Sequence, residues 1–334
     1  MKRAVVIVVV IFGMLAPASA VFAQSAEEIR HFIGRLEAGK PLSYRNLTVV
    51  PVLLRSDWPE PNLGSYLTLD QALERGLLDI REKDEGDVPW VVVSNRSDRS
   101  IFIMGGEILS GCKQDRIVAR DVLIAPHRKR LLVPVYCVEA GRWHHVSGAF
   151  KSEKNLGTYS MRAAAQGSTG NNQMEVWNRV AESNRKMGVS SDTEAYQDVF
   201  RKDEVAELVS DVEEKFKDLP RLGKQTTGVI IALGNHIIGV DIFASPDLFR
   251  ALWPKIIKSC VVLMSGYEGD ASLTGKRAQQ FLNALQGLSL GRQPGVDLGI
   301  DYSGELKDFA VNALVVGNAV FHLSAVPHDS DIDF

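Results

Sequence analysis

Polar side chains that could do chemistry gather in one stretch of the chain, between Ile101 and Trp143. Two apolar, strand-like runs in this stretch carry a carboxylate near their ends, Glu107 after the first run and Glu139 in the second. Loops held at the ends of rigid strands are where binding and catalytic sites are usually built. The stretch therefore predicts a polar pocket, to which five further residues are assigned as ligand-binding candidates: Gln114, Asp115, Arg116, Arg142 and Trp143.

The charged residues of this stretch indicate recognition of a small anionic or hydroxylated molecule. Glu107 and Glu139 are candidate catalytic residues, because a carboxylate can act as a general base or accept a hydrogen bond from a sugar hydroxyl. Two glycines before Glu107 would allow the backbone to approach a ligand closely. Arg116 and Arg142 are suited to phosphate or carboxylate, to which a guanidinium donates two parallel hydrogen bonds. Solvated turns with local ion pairs are the alternative interpretation.

Other residues of the stretch allow more than one role. Gln114 and Asp115 could bind a ligand beside Arg116, or they could only form a turn. Trp143 could stack on a base or sugar ring, or pack in the core. His144 could act as an acid or base, but in a strand His144 and its neighbour His145 would point to opposite faces. We therefore predict no metal site.

Composition and charge exclude some classes of function. The chain has 334 residues, enough for one large domain or two ordinary ones, and its 45% apolar and 24% charged residues are typical of a globular protein. The formal net charge of −3 includes no basic excess, so no nucleic-acid partner is expected. The common sequence motifs of nucleotide-binding loops and of serine or zinc hydrolases are absent. An enzyme of this sequence would be a cofactor-independent hydrolase.

The first 23 residues have the pattern of a secretory signal peptide. Lys2 and Arg3 precede an apolar run from Ala4 to Ala16, and small residues suited to cleavage follow, ending at Ala23. The run has 13 residues, whereas a membrane span needs about 20. We expect a secreted or periplasmic protein with no membrane span after cleavage.

Cysteine usage leaves the redox chemistry open. The sequence has three cysteines, Cys112, Cys137 and Cys260, so at least one is unpaired in an oxidising compartment. Cys112 and Cys137 could form a disulfide, but their spacing does not decide it. No Cys/His spacing suggests zinc.

Periodicity predicts an α+β fold, with a β-rich N-terminal half packed against a helical and mixed α/β C-terminal half. Residues 45–150 are expected to be mostly strands. Residues 151–173 are polar, contain several glycines and are predicted to form a mobile loop. Residues 174–326 are expected to form the helical and mixed lobe.

Turn residues predict three hairpins. Asp241 lies in an apolar strand of one of them, where it could complete a site or face solvent. The run Val261–Ser265 is a further candidate strand. The hairpins join Trp90–Ser94 to Ile101–Met104, Gly228–Leu233 to His236–Phe243, and Val311–Val316 to Ala319–Val326.

Several short strings of the chain together resemble the ARG and rhodanese-phosphatase-superfamily-associated protein domain. The similarity extends from about Pro41 to about Phe321 and is strongest between Arg45 and Trp177. The strings are Gly105-Gly106-Glu107, Lys113-Gln114-Asp115-Arg116, Val133-Pro134-Val135, Cys137-Val138-Glu139 and Gly141-Arg142-Trp143.

The resemblance implies an enzymatic or ligand-binding role in NAD or ADP-ribose metabolism, since the family is associated in genomes with ADP-ribosylglycohydrolases and phosphatase-like domains. Cys112 and Asp115 stand where many relatives have Gly and Asn. Residues 24–334 are then one family domain, an exported protein whose pocket binds or hydrolyses a phosphorylated or ADP-ribose-like small molecule. A non-catalytic binding module and a structural role for the motifs are the alternatives. The residues that the resemblance implicates are Glu107, Gln114, Arg116, Glu139, Arg142 and Trp143.

Overall fold

The computed structural model describes residues 27–55, 63–84, 89–167 and 171–327, which form three β-sheets with helices on both sides of the largest. The predicted signal peptide lies outside the described residues. Short 3₁₀ helices also cover Tyr196–Arg201 and Leu219–Arg221. The helices are α1 (27–33), α2 (Leu69–Glu74), α3 (Tyr159–Gln166), α4 (Asn172–Lys186), α5 (Asp203–Phe216), α6 (Pro246–Met264) and α7 (Gly275–Leu285).

The largest sheet is antiparallel and takes its strands from both ends of the chain. Its strands are β1 (Leu36–Ala38), β2 (Leu42–Tyr44), β3 (Leu47–Leu54), β13 (Thr226–Leu233), β14 (His236–Phe243), β15 (Gly291–Pro294), β16 (Ile300–Leu306), β17 (Phe309–Val316) and β18 (Ala319–Pro327). They are arranged β1-β3-β13-β14-β18-β17-β16-β15, and β2 pairs with β3. The N-terminal strands and the late hairpins are therefore parts of one structure.

Two smaller sheets hold the middle of the sequence. The first consists of β4 (Tyr66–Thr68), β7 (Ser100–Ile103) and β10 (Val122–Ile124). The second, in the order β12-β8-β9-β11-β6-β5, carries Glu107, Arg116 and Cys137 of the stretch between Ile101 and Trp143. Its strands are β5 (Leu78–Glu82), β6 (Trp90–Asn95), β8 (Glu107–Gly111), β9 (Arg116–Val118), β11 (Leu131–Cys137) and β12 (Phe150–Leu156).

Each face of the large sheet is covered by a different apolar core. Along β13, Val229 and Ile231 contribute to one core and Ile230 and Ala232 to the other, as expected when successive side chains point to opposite faces. The core on one side includes residues of α1 and α7, and the core on the other includes residues of α3, α4, α5 and α6. Because both faces of the sheet are buried, residues Val229 to Leu233 of β13 form a continuous apolar run.

The fold is mixed α and β with a β-rich N-terminal half, as the sequence predicts. Both late hairpins are confirmed, and their turn glycines, Gly234 and Gly317, have φ of +56° and +59°. Glycine enters this left-handed region without the steric cost that a side chain imposes.

The segment 151–173, predicted to be a loop, contains strand β12 and helix α3 instead. Thr158 caps α3 by accepting a hydrogen bond from the Met161 backbone amide at 3.3 Å. Gly157 and Gly167 lie just outside the helix, so the glycines mark where elements end.

Two other local predictions are wrong. β6 and β7 do not form a hairpin but belong to different sheets, because the Asn95 side chain donates to the carbonyls of Arg99 and Ala125, at 2.7 and 2.9 Å, and turns the chain away. Residues Val261–Met264 are not a strand but the last turn of α6. That turn is buried throughout, and periodicity does not distinguish such a run from a buried strand.

Gly239 of β14 tests how closely α3 packs on the large sheet. A Cβ atom there would lie 2.1 Å from Cε1 of the buried Tyr159 ring. We expect Gly239→Ala to lower the free energy of unfolding by about 1–3 kcal/mol, as overpacking does, in urea denaturation. The control is Gly148→Ala, where a Cβ would meet nothing within 4 Å. Equal denaturation midpoints for the two variants would contradict this packing.

Candidate functional site

Strand pairing brings five of the predicted site residues into one network. β9 pairs with β11 so that Arg116 stands opposite Cys137, which places the turn before β9 beside the segment after β11. The backbone amide of Asp115 donates to Glu139 Oε2 at 3.0 Å across this junction. We call the set Gln114, Asp115, Arg116, Glu139 and Arg142 the motif network.

Arg142 is the centre of the motif network. Its Nε donates to Glu139 Oε1 at 2.7 Å, and its Nη2 contacts both Glu139 Oε2 and Asp115 Oδ1, the latter at 3.2 Å. Its Nη1 donates to the carbonyls of Cys112 and His144, at 2.7 and 3.3 Å. A guanidinium has five N–H donors, so every donor of Arg142 has a partner within the chain.

Gln114 and Arg116 form a second layer under this centre. Gln114 Nε2 donates to the Glu139 carbonyl at 2.7 Å, and Arg116 Nη1 lies 3.2 Å from Gln114 Oε1 and 2.8 Å from Cys137 Sγ. Burial raises the pKa of the Cys137 thiol, against the opposing effect of Arg116. Cys112, Cys137 and Cys260 all carry free thiols, so the disulfide that the sequence left open is not formed.

A cleft of about 360 Å³ opens beside the network, and we call it the motif cleft. Asp115, Glu139 and Arg142 lie in its wall, together with the basic side chains of Lys151 and Arg201. Burial raises the pKa of the Asp115 carboxyl, although its hydrogen bonds from the Gly111 amide and the Ser110 hydroxyl act in the opposite direction. The cleft therefore combines fixed carboxylates with cations from neighbouring elements.

Glu107 lies apart from the motif network. Its side chain is wholly buried, and its Oε2 accepts a hydrogen bond from the Met104 amide at 2.9 Å. Its Oε1 contacts the ammonium of Lys255 in α6, which also pairs with Asp70 at 2.8 Å. Burial lowers the pKa of Lys255, but these two carboxylates outweigh it and raise that pKa, so the lysine is charged.

The aromatic and histidine candidates are on the surface. Trp143 is 55% exposed, so the core-packing alternative is wrong, and the ammonium of Lys113 lies 5.3 Å from its ring centroid. His144 and His145 are exposed as well. None of these aromatic or imidazole side chains is part of the motif-cleft wall.

A second polar group, which we call the buried cluster, surrounds Asp241. Asp241 has no exposed surface and accepts two hydrogen bonds from Arg162, at 2.9 and 2.6 Å, and one from the Tyr159 hydroxyl at 2.7 Å. His322 Nε2 lies 3.1 Å from Asp241 Oδ1, and its Nδ1 lies 2.6 Å from Asp121 Oδ2. The solvent-facing alternative for Asp241 is therefore wrong.

Electrostatics keep Asp241 and His322 of the buried cluster charged. Burial raises the pKa of Asp241, but Arg162 and His322 outweigh it and hold that pKa below its usual value. Burial lowers the pKa of His322, but Asp121 and Asp241 outweigh it and raise the pKa to about 9. A protonated imidazole donates from both ring nitrogens, as these contacts require.

Sequence reasoning missed Arg162, Asp121 and His322. The available signal was a polar residue inside an apolar strand in each late hairpin, Asp241 in β14 and His322 in β18, because a polar group in such a run needs a buried partner. The cluster also explains Gly106, at φ +101°, where a Cβ would lie 2.5 Å from Arg162 Cγ. That glycine makes room for an arginine of the same chain.

The family is decided by the extent of the match. The family model of the ARG and Rhodanese-Phosphatase-superfamily-associated Protein domain matches residues 35–326, a range that contains both the motif network and the buried cluster. The chain belongs to this family. No curated protein and no solved structure matches it significantly.

The described ranges of this family member meet neither the requirements of a metal site nor those of a membrane-spanning helix. Within residues 27–55, 63–84, 89–167 and 171–327, no group of three or more His, Cys, Asp or Glu side chains is placed to hold a metal ion. In that same part of the chain, no helix is both long and apolar enough to cross a membrane.

The Lys255–Glu107 contact gives a stability prediction. Lys255→Met is expected to lower the free energy of unfolding by about 3–5 kcal/mol, because it leaves Glu107 buried without its cation. The double variant Lys255→Met, Glu107→Gln should recover part of this loss. Urea denaturation at pH 7 measures both variants, and equal losses in the two would show that the pairing does not stabilise the fold.

His322 gives a pH prediction. Its folded-state pKa of about 9 lies above its unfolded value of about 6.5, so its contribution is complete below pH 6.5 and is lost as pH rises through 9. We expect the free energy of unfolding to fall by up to about 3 kcal/mol over this window, at about 1.4 kcal/mol per pKa unit. His322→Gln should remove this fall, whereas His236→Gln, at an exposed position, should keep it. The same slope in His322→Gln as in the wild type would refute the assignment.

Proposed function

We propose that this family member is an exported protein that binds a small phosphorylated or sugar-bearing molecule in the motif cleft. The observation that carries the proposal is the presence of cations and fixed carboxylates in one cleft wall. Export rests on the signal-peptide pattern of residues 1–23.

Lys151 and Arg201 are the cations that would hold a phosphate. Within the described residues, no hydrogen bond or ion pair engages the side chain of Lys151, and the side chain of Arg201 pairs only with the nearby Asp198 at the exposed end of a 3₁₀ helix. Arg142 would contribute through its charge, because its donors are occupied. An ammonium and a guanidinium on separate elements can both reach one phosphate.

Asp115 and Glu139 are the groups that would receive sugar hydroxyls. A carboxylate offers about four acceptor positions. Glu139 accepts from Asp115 N and twice from Arg142, and Asp115 accepts from Gly111 N, Ser110 Oγ and Arg142. About one acceptor position on each carboxylate therefore remains for a ligand or a water molecule.

Hydrolysis is the reaction class that this arrangement would support, and it needs no cofactor. Burial raises the pKa of Asp115, which brings it closer to the value of an efficient general base. Asp115 is therefore the first candidate to take a proton from an attacking water, and Glu139 the second. The network holds both groups rigid, as catalysis requires.

A specific observation favours a second candidate, a non-catalytic binding module in which the motif network is architectural. All five donors of Arg142 end on groups of the same chain. Such an arginine fixes a loop, and recognition would then rest on Lys151 and Arg201 alone. The two candidates share the cleft and differ in whether Asp115 affects a rate.

The binding proposal is tested by a thermal-shift screen of the chain from Gln24 onward. The ligands are ADP-ribose, NAD, nucleoside monophosphates, sugar phosphates and plain sugars. A ligand at a hundred times its Kd adds about 2.7 kcal/mol, a Tm rise of a few degrees for a chain of this size. The rise should disappear in Lys151→Ala and persist in Lys154→Ala, which changes an exposed lysine of the same strand paired with Glu74.

The outcomes separate the candidates. A stabilising ligand that is also turned over, at a rate at least a hundredfold lower in Asp115→Asn with unchanged affinity, supports the hydrolase. Binding without turnover supports the module. Cooperative melting with no shift for any ligand contradicts both.

A further inference from the structure

A second cleft, of about 270 Å³, lies where the large sheet meets the segment after β9 and the end of α3, and we call it the Asp301 cleft. Of its lining residues, only Pro134 belongs to the family strings quoted above, and the proposed function does not use the cleft. Its charged and hydrogen-bonding side chains include Arg120, Asp121, Gln166, Asp301, Ser303 and Asn312.

We propose that the Asp301 cleft binds a small polyhydroxylated molecule, such as a monosaccharide, whose hydroxyl groups donate to Asp301 and meet the amides of Gln166 and Asn312. This site is independent of the motif cleft.

The Asp301 carboxylate lines this space and has an acceptor without a hydrogen bond. Its Oδ2 is buried and lacks a hydrogen-bond partner among the described residues. Arg120 Nη1 is 3.1 Å away, an ion-pair distance, but its orientation is not that of a hydrogen bond. Buried polar atoms are rarely left unsatisfied, so a donor from a bound molecule would complete the site.

The sheet register places further polar groups on the same face. Ser303 of β16 stands opposite Asn312 of β17, and Ser303 and Asp301 are two residues apart on one strand, so all three share a face. Asn312 Nδ2 donates to Gln166 Oε1 at 2.8 Å. Within the described residues, Gln166 Nε2 and Asn312 Oδ1 have no hydrogen bond, which leaves one donor and one acceptor beside the carboxylate.

Such a mixture of donors and acceptors suits hydroxyl groups, each of which can donate and accept. The cleft is smaller than the roughly 300–1,000 Å³ of pockets for drug-sized ligands, so it fits one sugar ring better than a nucleotide. Two acidic side chains, Asp121 and Asp301, and one basic side chain, Arg120, line it. This balance disfavours a phosphate, and Pro134 and Tyr136 supply apolar surface for the ring.

The wall opposite Asp301 is held rigid by the buried cluster. Asp121 Oδ1 accepts from the Gly105 amide at 2.8 Å, and Asp121 Oδ2 contacts His322 at 2.6 Å. Both oxygens are thereby fixed by groups outside the cleft. A preorganised wall of this kind lowers the cost of binding.

Binding at this site should depend on pH. Burial raises the pKa of Asp301 to about 7, Arg120 opposes this and Asp121 adds to it. These are the charged groups that face Asp301, with His322 behind Asp121. Hydroxyl groups donate more strongly to an ionised carboxylate than to a protonated one. With a pKa of about 7, only about a tenth of Asp301 is ionised at pH 6. Since apparent affinity scales with the competent fraction, we expect about tenfold weaker binding at pH 6 than at pH 8.5.

The test is isothermal titration of the chain from Gln24 onward with ribose, glucose, galactose and inositol at pH 6 and pH 8.5. We expect saturable binding of at least one of these compounds, with the tenfold pH effect. Asn312→Ala should weaken it at least tenfold, and Asp301→Asn should remove the pH effect. Lys151→Ala, in the motif cleft, should leave the affinity unchanged. Melting curves of each variant confirm that it is folded.

Two results would overturn the proposal. One is the absence of binding by any of the four compounds to the folded wild type at both pH values. The other is binding that Asn312→Ala and Asp301→Asn leave unchanged, or that Lys151→Ala abolishes, which would move the ligand to the motif cleft. Because the motif cleft is probed by Lys151→Ala, failure of this inference and failure of the proposed function remain distinguishable.

Discussion

The arrangement of the described residues depends on one buried carboxylate, Asp241. A charge in the protein interior is tolerated only when it is paired and hydrogen-bonded, and Asp241 obtains its partners from two elements. Arg162 and Tyr159 come from α3, and His322 comes from the neighbouring strand β18. This fixes α3 on the large sheet. Through His322 the same interaction reaches Asp121 and the chain after β9, so the small sheets are connected to the large one.

Close backbone approaches around Asp241 follow from this arrangement. The Tyr159 ring lies against Gly239, and the Arg162 stem lies against Gly106, where a side chain would clash in each case. Gly106 belongs to the glycine pair that, in sequence, suggested close approach to a ligand. The group that approaches Gly106 is the Arg162 side chain of the same protein. Glu107 therefore takes its place at the start of β8 as a consequence of this packing.

Three separate ionic groups stand at junctions between elements. The buried cluster joins α3 to the large sheet, Lys255 joins α6 to Glu107 and Asp70, and the motif network joins the chain before β9 to the chain after β11. Buried ion pairs add little net stability, but losing one partner is costly. Their placement therefore favours one arrangement of the sheets over others. The two clefts open beside these fixed groups, whose charges are held in place by the fold.

The sequence by itself determined the features that depend on local chemistry. The Gly-Asn turns set the two late hairpins, Thr68 set the start of α2, and the ordered polar strings between Gly105 and Trp143 identified the family. The meeting of Asp115 with Glu139 and Arg142 could be anticipated from that stretch, since the residues lie within 28 positions of one another.

Only the tertiary structure decided which distant residues meet. Glu107 and Glu139 look equivalent in sequence, yet one is enclosed by Lys255 of α6 and the other borders a cleft. Helix α3 forms in the segment predicted to be a loop, where Tyr159 and Arg162 find partners about 80 residues further along the chain, on β14. The Asp301 cleft likewise depends on how the chain after β9 and the end of α3 pack against β16 and β17. Pairing between strands far apart in the chain leaves no local periodicity, so these features appear only once the sheets are assembled.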